Sequence, residues 1–224
     1  MSVSQEKLML NKPLVKIGLS LTLVLSLTIV FNRLSVKPVA STQDSIEWLQ
    51  QPKSVNDFTL ISATGRFSNT HLKDHWTIIV FGYISCPDVC PTSLFELSLL
   101  AKKLEQEQIL QNLNYVFVSV DPQRDTLANI TQYVSYFHPD FIGVTGSLVA
   151  LESLTQSIGI RFSASELAGS YTVSHSVYFS IIAPDGRLYG RFKPNFDVEK
   201  LAQELKNVET ANESNLFKNM TNEK

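Results

Sequence analysis

Cys86 and Cys90 are the only two cysteines in a chain of 224 residues, and three residues separate them. At that spacing the two sulfurs can close a disulfide or hold one soft metal ion, and spacing alone does not choose between these. Pro91 suits the first position of a helix, because its fixed φ fits there and its missing N–H is not needed. Cys90 is then expected as the N-cap, with both thiols near a helix N-terminus, where the dipole and free N–H groups lower a thiol pKa. A purely structural bridge is a weak reason for this spacing, since the entropy removed from the unfolded chain grows with loop length. Four histidines could supply a third donor: His71, His75, His138 and His175. The first two precede a strand at the end expected to be remote from the cysteines, and His138 ends a helix, so surface or capping roles are expected for all three. His175 stands apart because it directly precedes a strongly apolar stretch.

These residues need elements to position them. Trp76 to Tyr83 is almost wholly apolar, β-branched or aromatic, the composition of a strand covered on both faces of an α/β sheet. The cysteines follow its carboxyl end, where open α/β sheets place their chemistry. A helix is expected from about Thr92 to Gln111, with an apolar stripe of Leu94, Leu97, Leu100, Ala101 and Leu104 that belongs to the core. Upstream, Asp57 to Leu72 reads as a hairpin turning at Gly65. Downstream come a strand at 115–120, a helix capped by Asp125 or Thr126, a short strand at 142–144, a helix capped by Ser147, and a loop running to His175. The stretch 176–183 reads as a further strand, Pro184-Asp185-Gly186 as a turn, 187–192 as its return strand, and Asp197 as the cap of a last helix.

Strands alternating with helices, then a closing hairpin and helix, predict a mixed α/β sheet, and the cysteine pair after its first core strand narrows this to a thioredoxin-like fold with an N-terminal β-hairpin extension. In such a sheet the strand after His175 runs antiparallel to the cysteine strand, so His175 is expected at the cysteine end. Two thiolates and an imidazole suit copper(I), and with a further oxygen or water they suit copper(II).

With 44% hydrophobic residues the chain can bury one core, and a net charge of −2 without a basic stripe argues against nucleic acid. Neither GxGxxG nor GxxxxGK[ST] occurs. An apolar run from Ile17 predicts a single transmembrane anchor at 17–33, preceded by a cytoplasmic segment at 1–16 and followed by a linker at 34–55, the domain at 56–208 and a disordered tail at 209–224. Three lysines precede the run, a slight positive-inside bias that puts the domain on the far side of the membrane from the cytoplasm.

Four segments in order, FGYISCPDVCPTSL, SVDPQRDT, YFHPDFIGVTGS and SHSVYFSIIAPDGRLYGRF, resemble the Sco/SenC family from about Asp57 to Leu205. The resemblance implies a membrane-anchored copper metallochaperone that assists assembly of the binuclear copper centre of cytochrome c oxidase. It implies Cys86, Cys90 and His175 as copper ligands, with Asp121 and Asp125 in support. The implied partners are the copper-receiving oxidase subunit and other periplasmic copper chaperones or thioredoxin-like reductants, with the domain in the bacterial periplasm or, alternatively, the mitochondrial intermembrane space. The family usually has Asp before the histidine, where this chain has Ser174, which puts copper(II) affinity and redox behaviour in question.

A metallochaperone is not an enzyme in the usual sense, and the main alternative is one: a thiol-disulfide oxidoreductase in which Cys86 attacks and Cys90 resolves, keeping target cysteines reduced. A peroxidase is a weaker rival, because the PxxxTxxC pattern of peroxiredoxins is missing.

Overall fold

In the computed structural model, residues 45–167 and 170–222 are described, with the side chains of 164–173 and 212–222 left aside. The chain divides into two units, 1–43 and 44–224. The expected cytoplasmic segment, anchor and first part of the linker lie outside the described residues. Among the described residues no helix is long and apolar enough to cross a membrane.

The apolar run after Asp74 becomes a strand, β4 (Trp76–Gly82), with all of its residues buried. Before it come β1 (Glu47–Ser54) and the hairpin of β2 (Thr59–Ser62) and β3 (Gly65–Ser68), as the sequence pattern predicts for the hairpin. Gly65 has φ +118, a backbone region closed to side chains with a Cβ, so the turn requires it. After β4 follow α1 (Val89–Glu107), β5 (Leu113–Ser119), α2 (Leu127–Phe137), β6 (Phe141–Thr145) and α3 (Leu148–Ile158). The chain ends with β7 (Phe162–Leu167), β8 (Ser170–His175), β9 (Phe179–Ile182), β10 (Arg187–Phe192) and α4 (Val198–Asn222).

Eight strands form one sheet in the order β1-β10-β9-β4-β5-β6-β2-β3, and β7 pairs with β8 in a separate ribbon. β4, β5 and β6 are parallel, and β9 runs antiparallel to β4. Side chains of β4 alternate between two cores, as the two-residue period of a strand requires. Ile78 and Val80 join Leu94, Leu97 and Leu104 of α1, Ile130 and Val134 of α2, and Leu201 and Leu205 of α4 on one face. Ile79 and Phe81 join Leu151, Leu154 and Ile158 of α3 on the other. This is the mixed α/β, thioredoxin-like arrangement with an N-terminal hairpin.

Four expectations need correction. Residues 47–54 are not linker but an edge strand, paired with β10; its mostly exposed or half-buried residues lack the alternation that marks a strand in sequence. The stretch before His175 is not a loop but the β7–β8 ribbon, in register from Phe162↔His175 to Leu167↔Ser170. The last helix does not stop near Val208 but continues to Asn222. No Pro or Gly interrupts 209–222, and the polarity that suggested disorder does not itself break a helix. Finally, α1 begins at Val89 with Asp88 as N-cap and ends at Gln108 in a left-handed C-cap, so Cys90 is the second helical residue and not the cap.

Candidate metal centre

The cysteine loop leaves the buried end of β4, turns with the Cys86 N–H donating to the Tyr83 carbonyl (3.3 Å), and enters α1. Both cysteines are free thiols, Cys86 8% and Cys90 4% exposed. Two features hold this loop. Gly82, the last residue of β4, lets the helix come close: a Cβ there would stand 3.0 Å from Cys90 Sγ and 2.7 Å from Phe117 Cε2. Asp125, 3% exposed, accepts hydrogen bonds from the Ile84 N–H (2.9 Å) and the Ser119 hydroxyl (2.7 Å), tying the loop to the end of β5. Asp121, also buried, pairs with Arg124, whose guanidinium lies 5.8 Å from the centre of the Tyr83 ring. Asp125 thus braces the loop directly at Ile84, and Asp121 reaches it only through Arg124.

Because β9 is antiparallel to β4, the segment that leads into β9 arrives at the cysteine end of the sheet. His175, the last residue of β8, sits there with Nε2 3.6 Å from Cys90 Sγ. Its other nitrogen lies 3.1 Å from the Ser176 carbonyl. A carbonyl only accepts, so Nδ1 carries the proton and Nε2 presents a lone pair towards the sulfur. The ring meets Tyr83 edge-on, with centroids 6.0 Å apart. Beyond the ribbon the Ser176 N–H donates to the Arg161 carbonyl (2.8 Å), which fixes the strand end that carries the histidine.

The two thiols differ. Burial opposes ionisation of Cys86, but hydrogen bonds from the Cys90 thiol, from the backbone N–H groups of Cys90 and Asp88 and from Tyr83 more than offset it, and its pKa falls below the ordinary thiol value. Cys90 is pushed up to about 12, chiefly by burial and then by its bond to Cys86. The expectation that the helix start lowers both thiols is therefore corrected: the free N–H groups of the first turn point at Cys86, which precedes the helix, while Cys90 lies inside it. Burial also lowers the pKa of His175, against a smaller opposing effect from the Ser176 carbonyl, which favours the neutral ring.

Of the residues singled out in the sequence, Cys90 neighbours both Cys86 and His175, but the three ligand atoms do not all lie within 4.8 Å of one another. His71 and His75 do not join them; His71 accepts the Ser68 N–H (3.1 Å) in a capping box. His138 is the C-cap of α2. Ser174 points away from the centre, since its hydroxyl bonds Ser163 across the ribbon at 2.9 Å. Sequence reasoning missed Gly82 and Tyr83 as parts of the site; a glycine ending an otherwise bulky apolar strand was the available signal.

An electron-rich imidazole beside a dithiol, on a thioredoxin-like sheet, defines a class of protein built for soft-metal or thiol chemistry. The family model SCO1/SenC matches residues 47–210, and the chain belongs to that family. It is 33% identical over 168 residues to a putative copper-binding protein of Stutzerimonas stutzeri, covering 74% of this chain and 82% of that protein. It is 35% identical over 146 residues to the mitochondrial protein SCO1 homolog 1 of Arabidopsis thaliana, covering 64% of this chain and 43% of the relative, so it spans less than half of that protein's length. Among solved structures, Arabidopsis thaliana ScoI with copper bound is 32% identical with a TM-score of 0.63, covering 69% of this chain and 97% of that one.

Proposed function

We propose that this protein is a copper metallochaperone in which Cys86, Cys90 and His175 hold the ion and pass it to the binuclear copper site of a cytochrome c oxidase subunit. The observation that carries the reading is the His175 ring, with Nε2 3.6 Å from Cys90 Sγ and Nδ1–H engaged by the Ser176 carbonyl. An unprotonated nitrogen directed at the buried sulfur supplies the third donor that a two-sulfur, one-nitrogen copper site needs. The copper-bound Arabidopsis structure and the copper-binding name of the Stutzerimonas relative support the same cargo. Loading displaces the thiol protons, and an acceptor's soft ligands then replace the three donors stepwise at the loop. Closing the Cys86–Cys90 disulfide removes both thiolates, releasing two electrons to an oxidant, so occupancy and redox state are coupled through the same sulfurs. The proposal includes an anchor at 17–33 with the domain in the periplasm or a topologically equivalent compartment, supported by the apolar run and its flanking lysines.

One observation favours a second reading. A lowered thiol at Cys86 beside a raised thiol at Cys90 is the asymmetry of an attacking and a resolving cysteine, which suits a thiol-disulfide reductase. Titrating the reduced protein with copper(I) and copper(II) separates the two. His175→Ala is expected to weaken copper binding at least about tenfold, the loss that even outer-sphere partners of a metal produce, while thiol exchange persists. Unchanged copper affinity in that variant would favour the reductase.

A further inference from the structure

A second group of donors lies at the other end of the sheet. Glu105 is near the end of α1, where the chain returns to the start of β5, and His138 and Asp140 occupy the turn between α2 and the start of β6. One ligand atom from each residue lies within 4.8 Å of those of the other two, and among the described residues this is the set of three acidic, histidine or cysteine side chains that meets that limit. His138 is 5% exposed, and its ring packs beside Phe141 (centroids 5.3 Å apart) and Tyr115 (6.4 Å), which also touch each other. Its Nε2 lies 3.3 Å from Glu105 Oε1. Ligands about 2.0–2.1 Å from a tetrahedral ion stand about 3.3–3.4 Å from one another, so this pair already spans one edge of such a polyhedron.

The surroundings point to a cation. Among the described residues neither Glu105 nor Asp140 has a Lys or Arg as ion-pair partner; the side-chain pairing is Glu105 with His138. Both carboxylates line a cleft of about 310 Å³ with Gln108, Gln111 and Tyr115, which leaves room for water as a further ligand. Burial, and then the charges of Glu105 and Asp140, push the Tyr115 hydroxyl upward, so two negative charges act on one wall of that cleft.

We propose that Glu105, His138 and Asp140 form a second metal site, for a divalent ion of the zinc(II) class, separate from the cysteine–histidine centre and not dependent on the function proposed for it. One nitrogen and two oxygens, with no sulfur, suit zinc(II) and reject copper(I); copper(II) fits the same donors by the general order of divalent affinities. In the metal-free protein the Asp140 N–H donates to His138 Nδ1 (3.3 Å), so the ring proton is on Nε2, facing Glu105. Binding through Nε2 moves that proton to Nδ1 and gives up the long Asp140 contact; the ring stays neutral. The ion would then tie the end of α1 to the turn after α2.

The test uses the full chain with Cys86 and Cys90 oxidised to the disulfide, so that no thiolate competes. Titration with zinc chloride by calorimetry is expected to show one equivalent, with a melting temperature that rises with zinc. Glu105→Gln and Asp140→Asn, both at exposed positions, should keep the metal-free melting temperature and each weaken zinc binding at least about tenfold. Absence of binding in the millimolar range, or one equivalent bound equally well by both variants, would overturn the assignment and leave a structural carboxylate–imidazole clamp.

Discussion

Gly82→Ala tests whether the glycine exists to admit the cysteine. The new Cβ would lie 2.7 Å from Phe117 Cε2 and 3.0 Å from Cys90 Sγ, against about 3.5–4.0 Å for an ordinary carbon contact. Relief requires shifts of roughly 0.5–1 Å in a ring and a sulfur that are both almost fully buried. The ring cannot move freely, because Tyr133 abuts it with centroids 5.7 Å apart. Overpacking of this kind costs about 1–3 kcal/mol, which for a domain of this size lowers the melting temperature by roughly 2–12 °C. Because Cys90 is also the neighbour of His175, the displaced sulfur should weaken copper binding in the same variant. Thermal unfolding of the metal-free reduced protein and copper(I) titration read the two effects separately. A variant that loses stability but binds copper as before would refute the argument that the bare Cα sets the sulfur's position, and one that loses neither would refute the packing itself.

Asp125→Ala leaves the Ile84 N–H and the Ser119 hydroxyl without their acceptor, and at about 1–3 kcal/mol for each unsatisfied group it should cost roughly 2–6 kcal/mol in urea unfolding; Asp125→Asn, which retains an acceptor oxygen, should cost less. In alkylation of the reduced protein mapped by mass spectrometry, Cys86 should react well before Cys90 near neutral pH, and equal rates would contradict the asymmetry of the pair. A native thiol raised from 9.0 to about 12 contributes stability that is complete below pH 9 and lost as pH climbs towards 12, so the reduced protein should destabilise over that window more than a Cys90→Ala variant does. Ser174→Asp should change copper(II) affinity by less than about fivefold, within about 1 kcal/mol for an exposed charge, because residue 174 faces Ser163 and not the sulfurs; a larger gain would mean that the ribbon turns on loading.

Sequence reading reached furthest where one physical period dominated. Trp76–Gly82 is legible because a strand buried on both faces carries a continuous apolar run, and α1 because its leucines recur at helical spacing. Ser147 and Thr126 announce their helices by the hydroxyl each offers to an N–H three residues on. β1 was illegible for the opposite reason: its eight exposed or half-buried residues carry no alternation, so only the pairing with β10 shows that they form a strand, and the β7–β8 ribbon likewise is defined by its cross-strand register. The helix beyond Val208 is polar in sequence, with few apolar residues to announce it.

Residue type and order determined by themselves that two sulfurs follow a buried strand and that one histidine precedes another, because composition and local periodicity need no distant partner. Which sulfur carries the lower pKa, which way the imidazole turns and where Ser174 points were decided only by the tertiary structure. Those properties depend on which N–H groups, carbonyls and apolar walls surround each atom, and at this site they come from β4, α1, β5 and the β7–β8 ribbon, segments separated by up to about ninety residues of chain and joined only when the sheet forms.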